Sequence, residues 1–370
     1  MTEGFLPRTA LQSLLDALRH RHKRVVGPTV RDGAIVFDDV ERVAQLPIGW
    51  HDEQSPGRYR LAHDRSTRCF AWANGPQALK PLTFAPREAL WRVQRNDRGE
   101  MSFEEVQPES VPTAVIGARA CDLAAMHVQD RHFAYNTYPD TYYNRRRRAL
   151  FIVAVDCASP ASTCFCHSTG DGPQAVSGFD LALTELDEGF LVRAKSDAGR
   201  TLAEALPLEA ATPAQHARAD AERDAAIAAQ TRTLPSRDLS AALMERLHHP
   251  RWQDVAARCL ACGNCTSVCP TCFCHSEGDA PAMDGASAEH YRAWDSCFTA
   301  GHSYIHGWVV RGTTDLRYRQ WLVHKLGTWH EQYGRSGCVG CGRCIAWCPA
   351  AIDITEEAHA LMKDTDDARP

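Results

Sequence analysis

Apolar residues recur at helical spacing between Pro7 and His22, so "PRTALQSLLDALRHRH" predicts an amphipathic helix near the start of the chain. The pattern then changes period. "RVVGPTVRDGAIVFDD" (Arg24 to Asp39) reads as a hairpin turning at Asp32-Gly33, and "RYRLA" (Arg58 to Ala62) adds another strand signal. Two short continuous apolar runs follow, "TAVIG" from Thr113 and "ALFIVAV" from Ala149. Runs of this kind suit strands covered on both faces. Between them lies the helical pattern "CDLAAMHVQDRHF" (Cys121 to Phe133). Strand, helix and strand over about forty residues form a βαβ unit with a parallel pair. The basic run "NRRRR" (Asn144 to Arg148) reads as a solvated loop before the second strand, and "DLALTELDEGFLVRA" as a hairpin around Asp187 to Gly189.

Beyond about residue 200 the chain turns helical. "AEALPLEAATPAQHARADAERDAAIAAQTR" (Ala203 to Arg232) is rich in Ala, Glu and Arg and is broken by prolines. "SRDLSAALMERLHH" and "RWQDVAARC" predict two more short helices. The segment Ser287 to Gln332, rich in aromatics and histidines, also reads as helical.

Composition narrows the classes of function. With 41 basic and 46 acidic residues the formal charge is −5, which gives no electrostatic basis for binding nucleic acid or an anionic membrane. The N-terminal stretch has no apolar signal region, and no apolar run is long enough for a bilayer. The expectation is a soluble, cytoplasmic protein. Sixteen cysteines in a reducing compartment argue for metal and against a disulfide framework.

Ten of these cysteines lie in two runs, "CLACGNCTSVCPTCFC" (Cys259 to Cys274) and "CVGCGRCIAWCP" (Cys338 to Pro349). Zinc sites use paired C-x-x-C ligands, four to an ion. Here each run instead reads C-x-x-C-x-x-C-x-x-x-C-P, the spacing of bacterial ferredoxins, in which the fourth cysteine ligates the other cluster. Two 4Fe–4S clusters are therefore expected. Cys259, Cys262, Cys265 and Cys348 would hold the first, and Cys338, Cys341, Cys344 and Cys269 the second. Gly263, Gly340 and Gly342 suit the tight turns that such wrapping requires.

Cys272 and Cys274 are surplus to two cubes. Their C-F-C-H-S segment has an echo at Cys164 and Cys166, preceded by Cys157. Either segment offers ligands for a third cluster. The N-terminal set of Cys121, Cys157, Cys164 and Cys166 is favoured over Cys272, Cys274 and Cys297, because Cys121 and Cys157 each follow a predicted parallel strand, where α/β sites form. Cys69 reads as structural, and His275, His302, His306 and His324 as packing or surface residues. There is no G-x-G-x-x-G after a strand, no phosphate-binding loop and no nucleophile elbow.

The fold class that follows is an α/β (α+β) N-terminal domain plus an α-helical dicluster ferredoxin domain. The divisions are 1–200 for the α/β domain, 201–258 for a helical connector, 259–355 for the ferredoxin domain and 356–370 for a C-terminal tail.

"GARACDLAAMHVQDRHF", "CFCHSTGDGP", "GPQALKPLTFAPRE" and the two cysteine runs together resemble the β subunits of cytosolic NiFe sulfhydrogenases and NADP-linked hydrogenases, a family that includes an electron-transfer component of anaerobic sulfite reductase. Ala120 stands where proline is common in the hydrogenase pattern. The resemblance implies an iron–sulfur electron-transfer subunit without catalytic residues of its own. Its implied partners are the NiFe hydrogenase large and small subunits and a flavoprotein binding FAD and NAD(P). The alternatives are an electron-transfer subunit of a sulfite reductase-like complex and a redox-sensing iron–sulfur protein.

Overall fold

The computed structural model describes residues 3–236 and 238–363. The chain opens with strand β1 (Glu3–Pro7) and the helix Leu11–Arg21. Three hairpins follow: β2 (Arg24–Arg31) with β3 (Ala34–Asp39), β4 (Trp50–Ser55) with β5 (Arg58–His63), and β6 (Arg87–Arg95) with β7 (Met101–Glu105). Strand β8 (Thr113–Ala118), the helices Ala120–Gln129 and Thr141–Arg148, and strand β9 (Leu150–Val155) build the expected βαβ unit. The hairpin β10 (Leu181–Glu185) and β11 (Gly189–Ala194) completes the first half.

Seven of these strands form one sheet in the order β1-β11-β10-β9-β8-β2-β3. The central neighbours β2, β8, β9 and β10 run parallel, and the outer pairs are antiparallel. Period-two alternation explains why both faces are covered. Ala114, Ile116, Phe151, Val153, Leu181 and Leu183 face a core that includes Leu14, Leu15 and Leu18 of the first helix. Val115, Ile152, Ala154 and Ala182 face the other way, onto Leu123 and Met126 of the helix after β8. Cys121 thus sits just beyond the end of β8 and Cys157 just beyond the end of its neighbour β9.

The second half interlocks with the first. Strands β12 (His275–Pro281) and β13 (Ser287–Trp294) form a hairpin that pairs with β6, giving a four-stranded antiparallel sheet in the order β12-β13-β6-β7. The helical reading of Ser287 to Gln332 is corrected here. Apart from one 3-10 turn at Gly301–Ser303, only its later part is helical, from the helix Thr314–Val323 onward. Residues Ser287–Trp294 are a strand because their partner is β6, some two hundred positions upstream, which local periodicity cannot reveal.

The run Asn144 to Arg148 is not a loop but the end of the helix Thr141–Arg148. Asp140 caps that helix, its carboxylate accepting from Tyr143 N at 2.7 Å. Two of the arginines are paired, Arg146 with Glu88 at 2.6 Å and Arg147 with Asp130 at 3.0 Å. The assigned tail starts inside a helix, Ile354–Leu361, whose Ala358 and Leu361 are buried in the second core. Residues 364–370 of that tail lie outside the described residues.

Glu185, at the end of β10, is buried and ties three segments together. It accepts from Cys69 N at 2.7 Å, Phe70 N at 2.8 Å and the Arg8 guanidinium at 2.8 Å. Glu185→Ala would strand two buried amides and a half-buried cation. The expected loss is about 3 kcal/mol, read as a lower urea midpoint at unchanged slope.

Candidate iron–sulfur centres

The two cysteine loops share one backbone plan. In the first, Ala261 (φ 50°) and Gly263 (φ 74°) are left-handed; in the second, Gly340 (φ 62°) and Gly342 (φ 72°) take the same positions. The Ala261 amide points at Cys259 Sγ (3.4 Å) and the Gly340 amide at Cys338 Sγ (3.5 Å). Each reversal turns the backbone so that three thiols face one centre. Ala261 accepts this conformation at a cost of about 1 kcal/mol. Gly340 and Gly342 have a further reason to lack a side chain. A Cβ at 340 would lie 2.5 Å from the backbone of Phe165 and Cys166, and one at 342 would lie 2.4 Å from Thr163 O.

The structure brings the expected sets together across the two loops. Cys259, Cys262, Cys265 and Cys348 line one cavity, walled by Phe298, Tyr318, Trp321 and Ile352. Ile352 N points at Cys348 Sγ (3.4 Å). Burial pushes the Cys265 thiol well up, and Cys297, Cys259, Cys348 and Cys262 add to the effect. In the second set, burial raises Cys344 well above an ordinary thiol, with Cys338, Cys341 and Cys269 reinforcing it. Cys344 also feels Cys265 and lines the first cavity, so the two centres are neighbours.

Cys269 is distinct. Its hydrogen bond with Cys272, and then the Lys325 ammonium working against burial, hold it well below the usual thiol range. Lys325 Nζ stands 3.4 Å from Cys269 Sγ and 2.8 Å from Thr271 Oγ1. Burial would discharge this lysine, but the charges of Cys269, Cys272 and Cys338 raise its pKa well above normal.

The third set gathers at the sheet edge. Cys121 and Cys166 share an apolar cluster with Cys341, Ala125 and Val339. Cys157 and Cys166 both act on buried Cys164, whose pKa burial already raises strongly. Gly172 leaves room for Cys166, since a Cβ there would lie 2.8 Å from its sulfur. This edge packs directly on the second ferredoxin loop. Phe165 N donates to Gly340 O at 2.8 Å, Asn74 Nδ2 to Cys341 O at 2.8 Å, and Arg343 Nε to Gly75 O at 2.9 Å. Arg343, fully buried, is paired with Asp122 at 2.8 Å.

Among the described residues, no three His, Cys, Asp or Glu side chains are placed to hold a single metal ion. Two features fit clustered iron and sulfide. Lys325 and Lys80 are buried, and among the described residues neither has a carboxylate partner. A buried cation needs a counter-charge, and a thiolate-ligated cluster, itself anionic, supplies one. The amide-to-sulfur contacts are also of the kind that tunes such clusters.

Sequence reasoning missed the two lysines and the Arg343–Asp122 pair. Asp122 and Arg343 lie within quoted motifs, but only the fold brings them together. Cys69 is buried against Glu185 and Arg8, as a structural residue would be. Cys272, Cys274 and Cys297 lie near the ferredoxin loops, away from the third set.

Gly340→Ala is expected to lose at least about 2 kcal/mol, combining left-handed strain with the clash against Phe165. Gly33→Ala, in an open hairpin turn with nothing within 4 Å, should cost only the strain. Denaturant unfolding of the two variants compares them.

A family model described as "4Fe-4S dicluster domain" matches residues 258–352. No solved structure matches the chain. No helix among the described residues is long and apolar enough to cross a membrane. Sulfhydrogenase 2 subunit beta of Pyrococcus furiosus is 32% identical over 335 residues, covering 89% of this chain and 90% of that protein. At that identity and coverage, the chain belongs to the sulfhydrogenase beta subunit family.

Proposed function

We propose that this chain is the iron–sulfur electron-transfer subunit of a hydrogenase-type complex, relaying electrons between a nickel–iron hydrogenase module and a flavoprotein that handles NAD(P). The supporting observation is the interleaving of the two ferredoxin loops. Cys348 joins the cavity of the first loop and Cys269 the neighbourhood of the second, so each centre draws ligands from both. A bound 4Fe–4S cluster supplies one-electron transfer, and one with four cysteine ligands has no open position for substrate.

The chain's own residues then have definite tasks. Cys259, Cys262, Cys265 and Cys348 hold one cluster, and Cys338, Cys341, Cys344 and Cys269 hold the second. Cys121, Cys157, Cys164 and Cys166 hold a third. Phe298, Tyr318 and Trp321 keep water from the first centre. Cys265 and Cys344 are the near point between the first two centres, and Cys341 and Cys166 between the second and third. The first centre is the one nearest solvent, with Cys262 exposed beside Leu260. It is the contact point for one redox partner. The implied partners are the hydrogenase large and small subunits and an FAD-containing flavoprotein.

Cys348→Ser tests the crossed ligation. It should alter the paramagnetic signal of the cluster held by Cys259, Cys262 and Cys265 and spare the other. The reverse pattern would refute the crossing. Reassembly with hydrogenase and flavoprotein subunits tests the relay. Cys262→Ser or Cys341→Ser should abolish hydrogen-dependent NADP reduction while hydrogen–viologen activity survives, and unchanged coupled activity would end the relay reading.

Lys325→Met removes a positive charge next to Cys269 Sγ. The expected result is a more negative midpoint for that cluster, with the cluster at Cys259, Cys262 and Cys265 shifted less, seen by redox titration followed by electron paramagnetic resonance.

A further inference from the structure

Of the sixteen cysteines, eight belong to the ferredoxin sets, four to the sheet edge, and Cys69 to the Glu185 network. Three are left, Cys272, Cys274 and Cys297, and the fold puts all three in one region. Cys272 and Cys274 line a cavity of about 230 Å³ together with Lys80, Trp294, Asp295 and Ser296, the residue before Cys297. The hairpin β12–β13 brings them there. Its register sets His275 opposite Trp294, and Asp295 N donates to Cys274 O at 2.9 Å. Cys297 follows two residues later, and the Cys274 charge acts on its thiol.

The two C-F-C-H-S segments are anchored alike. In each, the phenylalanine is a packing anchor between two thiols that alternate away from it. Phe165 is wholly buried in the second core. Phe273 stacks on His132 at 3.7 Å and on Trp329 at 5.2 Å. The first segment presents its thiols to Cys121 and Cys157; the second presents them to a cavity.

Two independent features point to a metal-bearing ligand there. The first is His302, half-buried beside the Cys274 thiol. Its Nδ1 contacts Asp295 Oδ2 at 3.3 Å, and a hydrogen bond joins the ring to the Cys274 side chain. A carboxylate on the far nitrogen is the usual support of a metal-binding histidine. The second is Lys80, 6% exposed and lining the same cavity. Its Nζ lies 3.6 Å from the Trp294 ring centroid and 3.3 Å from Ser267 O. Burial lowers the Lys80 pKa, and an anionic occupant of the thiol-lined cavity would hold the ammonium charged.

We propose that Cys272, Cys274 and Cys297, with His302 as the fourth ligand, hold a further 4Fe–4S cluster. It lies beside both ferredoxin centres, because Cys272 shares a side-chain hydrogen bond with Cys269 and Cys297 acts on Cys265. It is a side station between the two clusters. Ligation by one imidazole and three thiolates leaves it less negative than its neighbours, and replacing thiolate by histidine raises a cluster's potential.

The test uses the full chain purified anaerobically. Cys274→Ala and Cys297→Ala should each lower the iron content by about four per chain relative to wild type. Both ferredoxin signals should remain, which separates failure here from failure of the relay reading. Wild-type iron content in both variants would overturn the proposal. If the variants do not fold, the reduced wild-type protein decides the matter by pulsed electron paramagnetic resonance. A strongly coupled imidazole nitrogen that disappears in His302→Ala is expected, and its absence from the wild type would overturn the assignment.

Discussion

The second ferredoxin loop is fixed to the first half of the chain by one close approach. The loop Cys338–Cys344 meets the segment Thr163–Cys166 backbone against backbone, at a distance that only glycine at 340 and 342 permits. Phe165 and Gly340 share a hydrogen bond across it, and the buried Arg343–Asp122 pair locks it from one side. Tyr59 stacks on Trp347 at 4.9 Å, and Gly57 N donates to Ile345 O at 3.0 Å, locking it from the other. Because the ferredoxin loop is rigid against the α/β sheet, the cysteines of the sheet edge have a fixed relation to the second centre. Electron transfer through a chain of centres depends on such fixed spacing, and here the spacing is set by backbone contact instead of by long side chains.

Charge is organised around the same places. Lys325, Lys80, Arg119 and Arg343 are all buried near cysteines, and of these only Arg343 has a carboxylate partner among the described residues. Arg119 instead donates to the carbonyls of Phe70 (2.8 Å) and Asp156 (3.1 Å) and lies over the Trp72 ring at 4.2 Å. Such cations are expensive in a protein interior unless something anionic stands close. The thiols around them are mostly pushed up by burial, so a site without metal carries protons that loading with metal must release. Cys269 is the exception, its pKa drawn down by the hydrogen bond with Cys272 and by Lys325.

The sequence made some of this legible because some signals are local. The continuous apolar runs at Thr113 to Gly117 and Ala149 to Val155 disclosed a doubly covered parallel pair, and cysteine spacing disclosed both ferredoxin loops. The hairpin at Asp32-Gly33 was equally plain. What stayed hidden depends on partners remote in sequence. Ser287–Trp294 looked helical because its strand partner is Arg87–Arg95. The arginines at 145–148 looked like a loop because nothing local showed that Tyr142 and Tyr143 would be buried beneath them. Lys325 carries no motif at all; only the fold sets it beside Cys269.

The sheet formed by β6, β7, β12 and β13 also bears on how the protein is made. Strand β6 begins at residue 87, but its neighbour β13 ends only at residue 294. At ordinary synthesis rates the ribosome needs roughly 10–40 s to cover that interval. For that time the hairpin β6–β7 waits with an open edge, and Thr163–Cys166 waits longer still for the loop at Cys338. The nascent chain therefore holds a partly built sheet and several reactive thiols before either ferredoxin centre has all its ligands. Delivery of iron and sulfide must come late, after the last cysteine has emerged, or be guarded by something that covers the edge until then.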